Sequence, residues 1–145
     1  MRFTFAGLII TAIMLALVPS AAQADDASLR KAVATHGKKW ETAATKYKKT
    51  LEGLEQDDAA GVKAAVKKFA KATATFHDKV EAQEASTSKL KTARTKLLDG
   101  LETFEDALDT LNEAIDADSK SKLKSAQKKA DSAEKKLKSA AKAFS

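Results

Sequence analysis

Apolar residues recur along most of this chain at alternating steps of three and four, the spacing that keeps one face of an α-helix apolar. The first series runs Leu29, Val33, His36, Trp40, Ala43 and Tyr47, with Leu51 and Leu54 continuing it after a one-residue shift. A second holds Val62, Val66, Phe69, Thr73, Phe76 and Val80. Leu90, Leu97, Leu101, Phe104, Leu108, Leu111 and Ile115 form the third. The fourth is Leu123, Ala126, Ala130, Ala133, Leu137, Ala140 and Phe144, built mainly from small side chains. Small residues let helices approach closely but bury little apolar area, so the last helix is expected to be the least firmly held.

Capping residues divide these series. Gln56-Asp57-Asp58 and Asp118-Ser119 supply side chains that accept bonds from the orphan N–H groups of a helical first turn. Between the second and third series the three-four phase runs unbroken from Val62 to Ile115, but its core slots at Gln83 and Thr87 are polar. A turn is therefore expected near 85–88. The predicted helices span 26–55, 58–85, 88–116 and 119–144. Four helices of nearly equal length suit an all-α, antiparallel up-down four-helix bundle. The alternative joins the middle two into one rod of roughly 85 Å, with the outer helices folded back on it as an elongated, coiled-coil-like molecule. Thr50-Leu51 with Asp58 matches Thr110-Leu111 with Asp118 at the same offset. Either duplication of a helical hairpin or compositional bias produces such a pattern.

Residues 1–24 read differently. Met1-Arg2 opens on a positive charge, Phe3 to Val18 form an apolar run, Pro19 breaks it, and Ala22-Gln23-Ala24 has the small-x-small form of a cleavage site. The run is shorter than the ~20 residues that span a bilayer. A secretory signal cleaved after Ala24 is expected, with a retained anchor as the alternative. The remainder, 25–145, is then one helical domain, secreted or periplasmic, without a transmembrane helix. The chain has no cysteine, so no disulfide framework stabilises it and no lipoprotein-type start is expected. Its single proline is Pro19, and four glycines follow the signal, at 37, 53, 61 and 100. That leaves little punctuation for strands.

Charge is uneven. The chain carries +6, and removing Arg2 leaves +5. From Asp99 to Asp118 there are eight acids and no base, whereas Lys120 to Lys142 holds nine lysines against Asp131 and Glu134. One reading makes the lysine-rich last helix a grip for a polyanion, with Lys128, Lys129, Lys135, Lys136 and Lys138 as candidates. The other pairs the last two helices as antiparallel neighbours of opposite charge. Exposed pairs of that kind contribute under about 1 kcal/mol each. Nucleic acid fits poorly. Trp40, Tyr47, Phe69, Phe76 and Phe104 sit in core phase rather than as stacking platforms. Only Arg30 and Arg94 remain after the signal, and arginine is the usual bidentate base reader.

Candidate chemistry is sparse. His36 falls in the apolar phase beside Trp40, and His77 has Glu81 four residues on, one helical turn away. His36, His77 and Glu81 are the metal-ligand candidates, but two ligands do not make a zinc site. No serine-histidine-acid order, phosphate loop or His-Glu-x-x-His run is present. Both methionines, Met1 and Met14, lie in the signal, and no Cys-x-x-Cys-His occurs. No cofactor and no enzymatic activity is expected. Three functions remain. The leading one is a non-catalytic binding module of the cell envelope or exterior that contacts a partner protein or an anionic envelope polymer. The others are a self-associating structural coiled coil forming homo-oligomers, and a metal-binding bundle using His36 and His77.

Overall fold

Helix ends in this protein are held by side chains near and far, and together they set the topology. The computed structural model describes residues 24–55 and 57–145. They form α1 (Ala24–Glu52), α2 (Ala59–Glu81), α3 (Ser88–Asp116) and α4 (Lys120–Phe144). The export signal expected over 1–24 lies outside the described residues except for Ala24. No strand occurs among the described residues, and no helix there is long and apolar enough to cross a membrane.

Each connection is closed by local chemistry. After α1, the Gly53 N–H donates to the carbonyls of Lys49 and Thr50, tightening the last turn, so the helix stops short of the expected 55. Asp58 then caps α2, its Oδ1 accepting from the Gly61 N–H at 2.7 Å. Ser119 caps α4 through Lys122 N–H at 3.3 Å. Between them α3 ends in a Schellman arrangement: Ser119 N–H donates to Ala114 O and Asp118 N–H to Ile115 O. Asp118 takes the left-handed position, φ 46°, that glycine usually fills.

The turn between α2 and α3 decides between the two predicted architectures. α2 ends at Glu81 rather than 85, and 82–87 separate it from α3, so the continuous central rod does not form. The Thr87 side chain makes no cap bond. Asp26 of α1 instead holds the turn ahead of α3, accepting from Ser86 N–H at 2.7 Å and Thr87 N–H at 3.3 Å while itself only 1 % exposed. Gln83 leaves the apolar seam to accept from the Ser28 hydroxyl at 2.6 Å. The start of α1 is thus tied to the turn, as an antiparallel bundle requires.

Neighbouring helices pack in chain order, α1 on α2, α2 on α3 and α3 on α4. The described arginines fasten two helix C-termini: Arg30 donates to the Phe144 carbonyl at 2.9 Å, closing α1 against α4, and Arg94 donates to Glu81 O at 2.7 Å. A cation there also suits the negative end of the helix dipole. The result is the predicted antiparallel up-down four-helix bundle.

The expected stripes are the core. Leu29, Val33, Trp40 and Tyr47 of α1 meet the whole second series, the leucines of α3 and the alanines of α4. Its centre is aromatic: Trp40 lies 5.7 Å from Phe69 and 5.8 Å from Phe104, and Tyr47 stacks on Phe69 at 5.0 Å between ring centres. Trp40 Nε1 donates to Thr73 Oγ1 at 3.0 Å, which explains a polar residue in a core slot. Several positions depart from expectation, and Leu51, Leu54 and Leu123 are only half-buried at the edge of the core. Ala44 rather than Ala43 is fully buried in α1, and His36 is only half-buried. The small stripe of α4 gives that helix a close approach to α3, where Gly100 faces Leu137.

Candidate functional site

Helices α3 and α4 carry the chain's opposite charge blocks, and their close packing sorts the lysines of α4 into two rows. Lys122, Lys129 and Lys136 are seven residues apart, so they share a face, and that face meets α3. Lys136 Nζ lies 2.9 Å from Asp99 Oδ2 and donates to Thr103 Oγ1 at 3.0 Å. Lys129 donates to Thr110 Oγ1 at 3.0 Å, and Lys122 pairs with Glu113 Oε2 at 2.9 Å. The Lys122 hydrogen bond and charge, with Lys129 nearby, hold the Glu113 carboxyl below its ordinary range. Neighbouring helices of opposite charge therefore account for this inner row.

The outer row is another matter. Lys128, Lys135 and Lys142 also stand seven apart, with Lys124 one turn before them. All four are exposed and form no ion pair among the described residues. From Lys124 to Lys142 the row extends about 27 Å along the helix. Asp131 lies in the same stripe but is engaged by Gln127 Nε2 at 2.9 Å. Lys138, at the row's edge, is paired with Glu134 on the preceding turn. Of the five candidate lysines, Lys128 and Lys135 face outward, Lys129 and Lys136 serve the seam, and Lys138 has a local partner. Lys124 and Lys142 complete the outer row and were not anticipated, although their spacing is readable in the sequence.

The candidate metal ligands do not gather as a single set. His77 and Glu81 do come together, with Asp78, so that one ligand atom from each lies within 4.8 Å of the others. His36 is not in that group. It sits at the α1–α2 seam by Phe76 and Thr75, where burial, then Lys39 and Lys79, push its imidazole below the ordinary histidine range. The same neighbouring lysine charges make it a poor place for a cation.

A second concavity lies between α1 and α2. It is an open cleft of about 310 Å³ floored by Tyr47 and Phe69, with Leu54 at one side and Lys46 and Lys68 flanking it. Burial raises the Tyr47 phenol well above its ordinary pKa, and its hydroxyl has no hydrogen-bond partner. That oxygen is closed to water, so the cleft offers a ligand the ring rather than the hydroxyl. Every described aromatic residue is at most 4 % exposed, which leaves no ring on the lysine face for a base to stack upon.

Comparison with known proteins yields no relative: no family model matches the chain, and neither a curated protein nor a solved structure does.

Proposed function

We propose that this protein is an exported, non-catalytic binding module that engages an anionic polymer of the cell envelope or exterior through the outer lysine row of α4. The observation carrying this reading is the row itself: Lys124, Lys128, Lys135 and Lys142, exposed and unpaired on a helix of nine lysines and two acids. Adjacent members of the seven-residue row stand about 10.5 Å apart, close to the screening length at 0.1 M salt. A small anion touches one of them; an extended polyanion touches several at once. Such contact is favoured by accumulation rather than by any one bond, and it weakens as salt rises. The apolar stripes that a self-associating coiled coil would use are spent on the internal core, so the binding reading is preferred to the structural one.

Charge reversal tests the proposal. Lys128→Glu, Lys135→Glu and Lys142→Glu together should abolish retention on a sulfated polysaccharide matrix at 0.1 M salt. A control with Lys31→Glu, Lys38→Glu and Lys49→Glu on α1 changes net charge equally and should retain most binding. Equal loss in both would reduce the effect to net charge and end the claim for a site. The export part rests on the pattern of residues 1–24. It is checked by N-terminal sequencing of the protein outside the cytoplasm, which should begin at Asp25.

A further inference from the structure

We infer that the cleft between α1 and α2 binds a medium-chain fatty acid, its tail lying along the floor and its carboxylate between Lys46 and Lys68. The cleft of about 310 Å³ is at the small end of the range that holds small-molecule ligands. Its floor is the stacked pair of Tyr47 and Phe69, and Ala43, Ala64 and Leu54 line it beside them. From Lys46 to Leu54 it runs about 12 Å along α1. A trough between two packed helices is long and narrow, a shape that takes a chain more readily than a fused ring system.

The polar groups of the lining decide the class of ligand. The Tyr47 hydroxyl is closed to water, and the Thr50 hydroxyl donates to the Lys46 carbonyl at 2.9 Å. Neither offers the body of a ligand a hydrogen-bond donor. An unsubstituted hydrocarbon suits such a surface, because a polar group placed there would lose water without gaining a partner. The two lysines are different. Lys46 of α1 and Lys68 of α2 flank the cleft from opposite walls, both exposed and neither in an ion pair among the described residues. Their own helices supply no counter-charge, since no acid stands three or four positions from either. No acid lines the cleft. Two ammonium groups beside an apolar floor complement a ligand with an apolar body and one anionic end. A carboxylate has two oxygens to share between them. The cleft shares no residue with the outer lysine row, so the inference stands or falls independently of the proposed function.

The test is calorimetric titration of the purified protein with decanoate below its micelle concentration, with alanine-methyl nuclear magnetic resonance recorded in parallel. Wild type should take up one decanoate per chain and shift the Ala43, Ala64 and Ala65 methyl signals, leaving Ala126 and Ala133 of α4 unmoved. Each methylene removed from the tail should weaken uptake by up to about fourfold, and uncharged decanol should bind more weakly than decanoate. Lys46→Glu with Lys68→Glu should weaken uptake at least about tenfold through like-charge repulsion. Ala64→Phe should fill the trough and abolish uptake. All three positions are exposed, so both proteins should fold, as circular dichroism would verify. Reversing Lys128, Lys135 and Lys142 should leave decanoate uptake unchanged. Absence of saturable uptake overturns the inference. So does butyrate binding as tightly as decanoate, uptake that survives Ala64→Phe or the paired lysine reversal, or an equal loss when the outer row is reversed. Methyl shifts produced by concentrating the protein without ligand would place a second copy of the chain in the cleft and overturn it as well.

Discussion

The contact between α3 and α4 makes a prediction in which two well-known effects oppose each other. Gly100 lies inside α3, where alanine is ordinarily favoured by about 1 kcal/mol. A Cβ built there would meet Leu137 Cδ2 at 2.8 Å, its Cγ at 3.0 Å and its backbone N at 3.3 Å. Leu137 is 4 % exposed and has little room to swing aside. Overfilling a packed site of this kind costs about 1–3 kcal/mol. The clash should win, and Gly100→Ala should destabilise by roughly 1 kcal/mol, lowering the melting temperature by about 4 °C. Leu137→Ala alone opens a cavity and should cost about 2–5 kcal/mol. In that background the two side-chain clashes are gone and only the 3.3 Å approach to the residue 137 backbone N remains, so helix propensity should outweigh the remaining cost and the substitution should become neutral to stabilising, by up to ~1 kcal/mol. The two changes should therefore be non-additive by at least about 1 kcal/mol. Urea unfolding followed by Trp40 fluorescence and by circular dichroism measures all four proteins. A Gly100→Ala protein more stable than wild type, with additive effects in the pair, would refute the close α3–α4 packing.

Other expectations follow from single hydrogen bonds and dihedrals. Thr73→Val is nearly isosteric but strips Trp40 Nε1 of its acceptor; urea denaturation should show a loss of about 1–3 kcal/mol, and Thr73→Ser should lose much less. Asp118→Gly removes a side chain from a φ of 46°; relief of left-handed strain, up to about 1 kcal/mol, should raise the melting temperature, whereas Asp118→Val should lower it. Asp26 offers a pH test. Burial raises its pKa, but hydrogen bonds from Ser86 and Thr87 and the charge of Arg30 outweigh that, leaving it below the ordinary 3.8. Its folded pKa is depressed, so its contribution is present above pH 3.8 and fades as the pH falls through the lower folded value. Urea midpoints measured from pH 7 to 2 should therefore fall at the acid end in wild type. Asp26→Asn should start lower at pH 7 and fall less steeply.

The stripes were legible because the helical period is a local property. Val62 to Val80 and Leu90 to Ile115 occupy the core they were assigned. The turn at 82–87 was harder, since neither of its polar core slots caps the next helix. Thr87 makes no cap bond, and the group that holds the turn by accepting from Ser86 and Thr87, Asp26, lies about sixty residues away in the chain. No local rule finds such a partner. The same holds for the metal candidates. Spacing by four pointed to His77 and Glu81, but Asp78 is one residue on, where side chains on a helix do not ordinarily face each other.

The lysines of α4 show most clearly where legibility stops. Positions 128 and 129, or 135 and 136, are chemically identical neighbours, yet a one-residue step turns a side chain about 100° around the helix. Read as a run, they form one basic patch. What separates them is the face of α4 that α3 takes, set by Ala126, Ala133, Leu137 and Ala140 against α3 and by the lysine partners Asp99, Thr103, Thr110 and Glu113. Once Lys122, Lys129 and Lys136 are drawn to those partners, Lys128, Lys135 and Lys142 must point about 100° away. The inner row thus aims the outer one. Removing Asp99 and Glu113 should loosen the aim without touching a lysine of the outer row. Asp99→Ala with Glu113→Ala should leave the bundle folded, since both are surface pairs contributing little to stability. It frees two inner lysines and should strengthen retention on a sulfated matrix while flattening the difference between reversing the outer row and reversing the α1 lysines. Retention unchanged by the double substitution would mean that the seam does not govern which lysines are available.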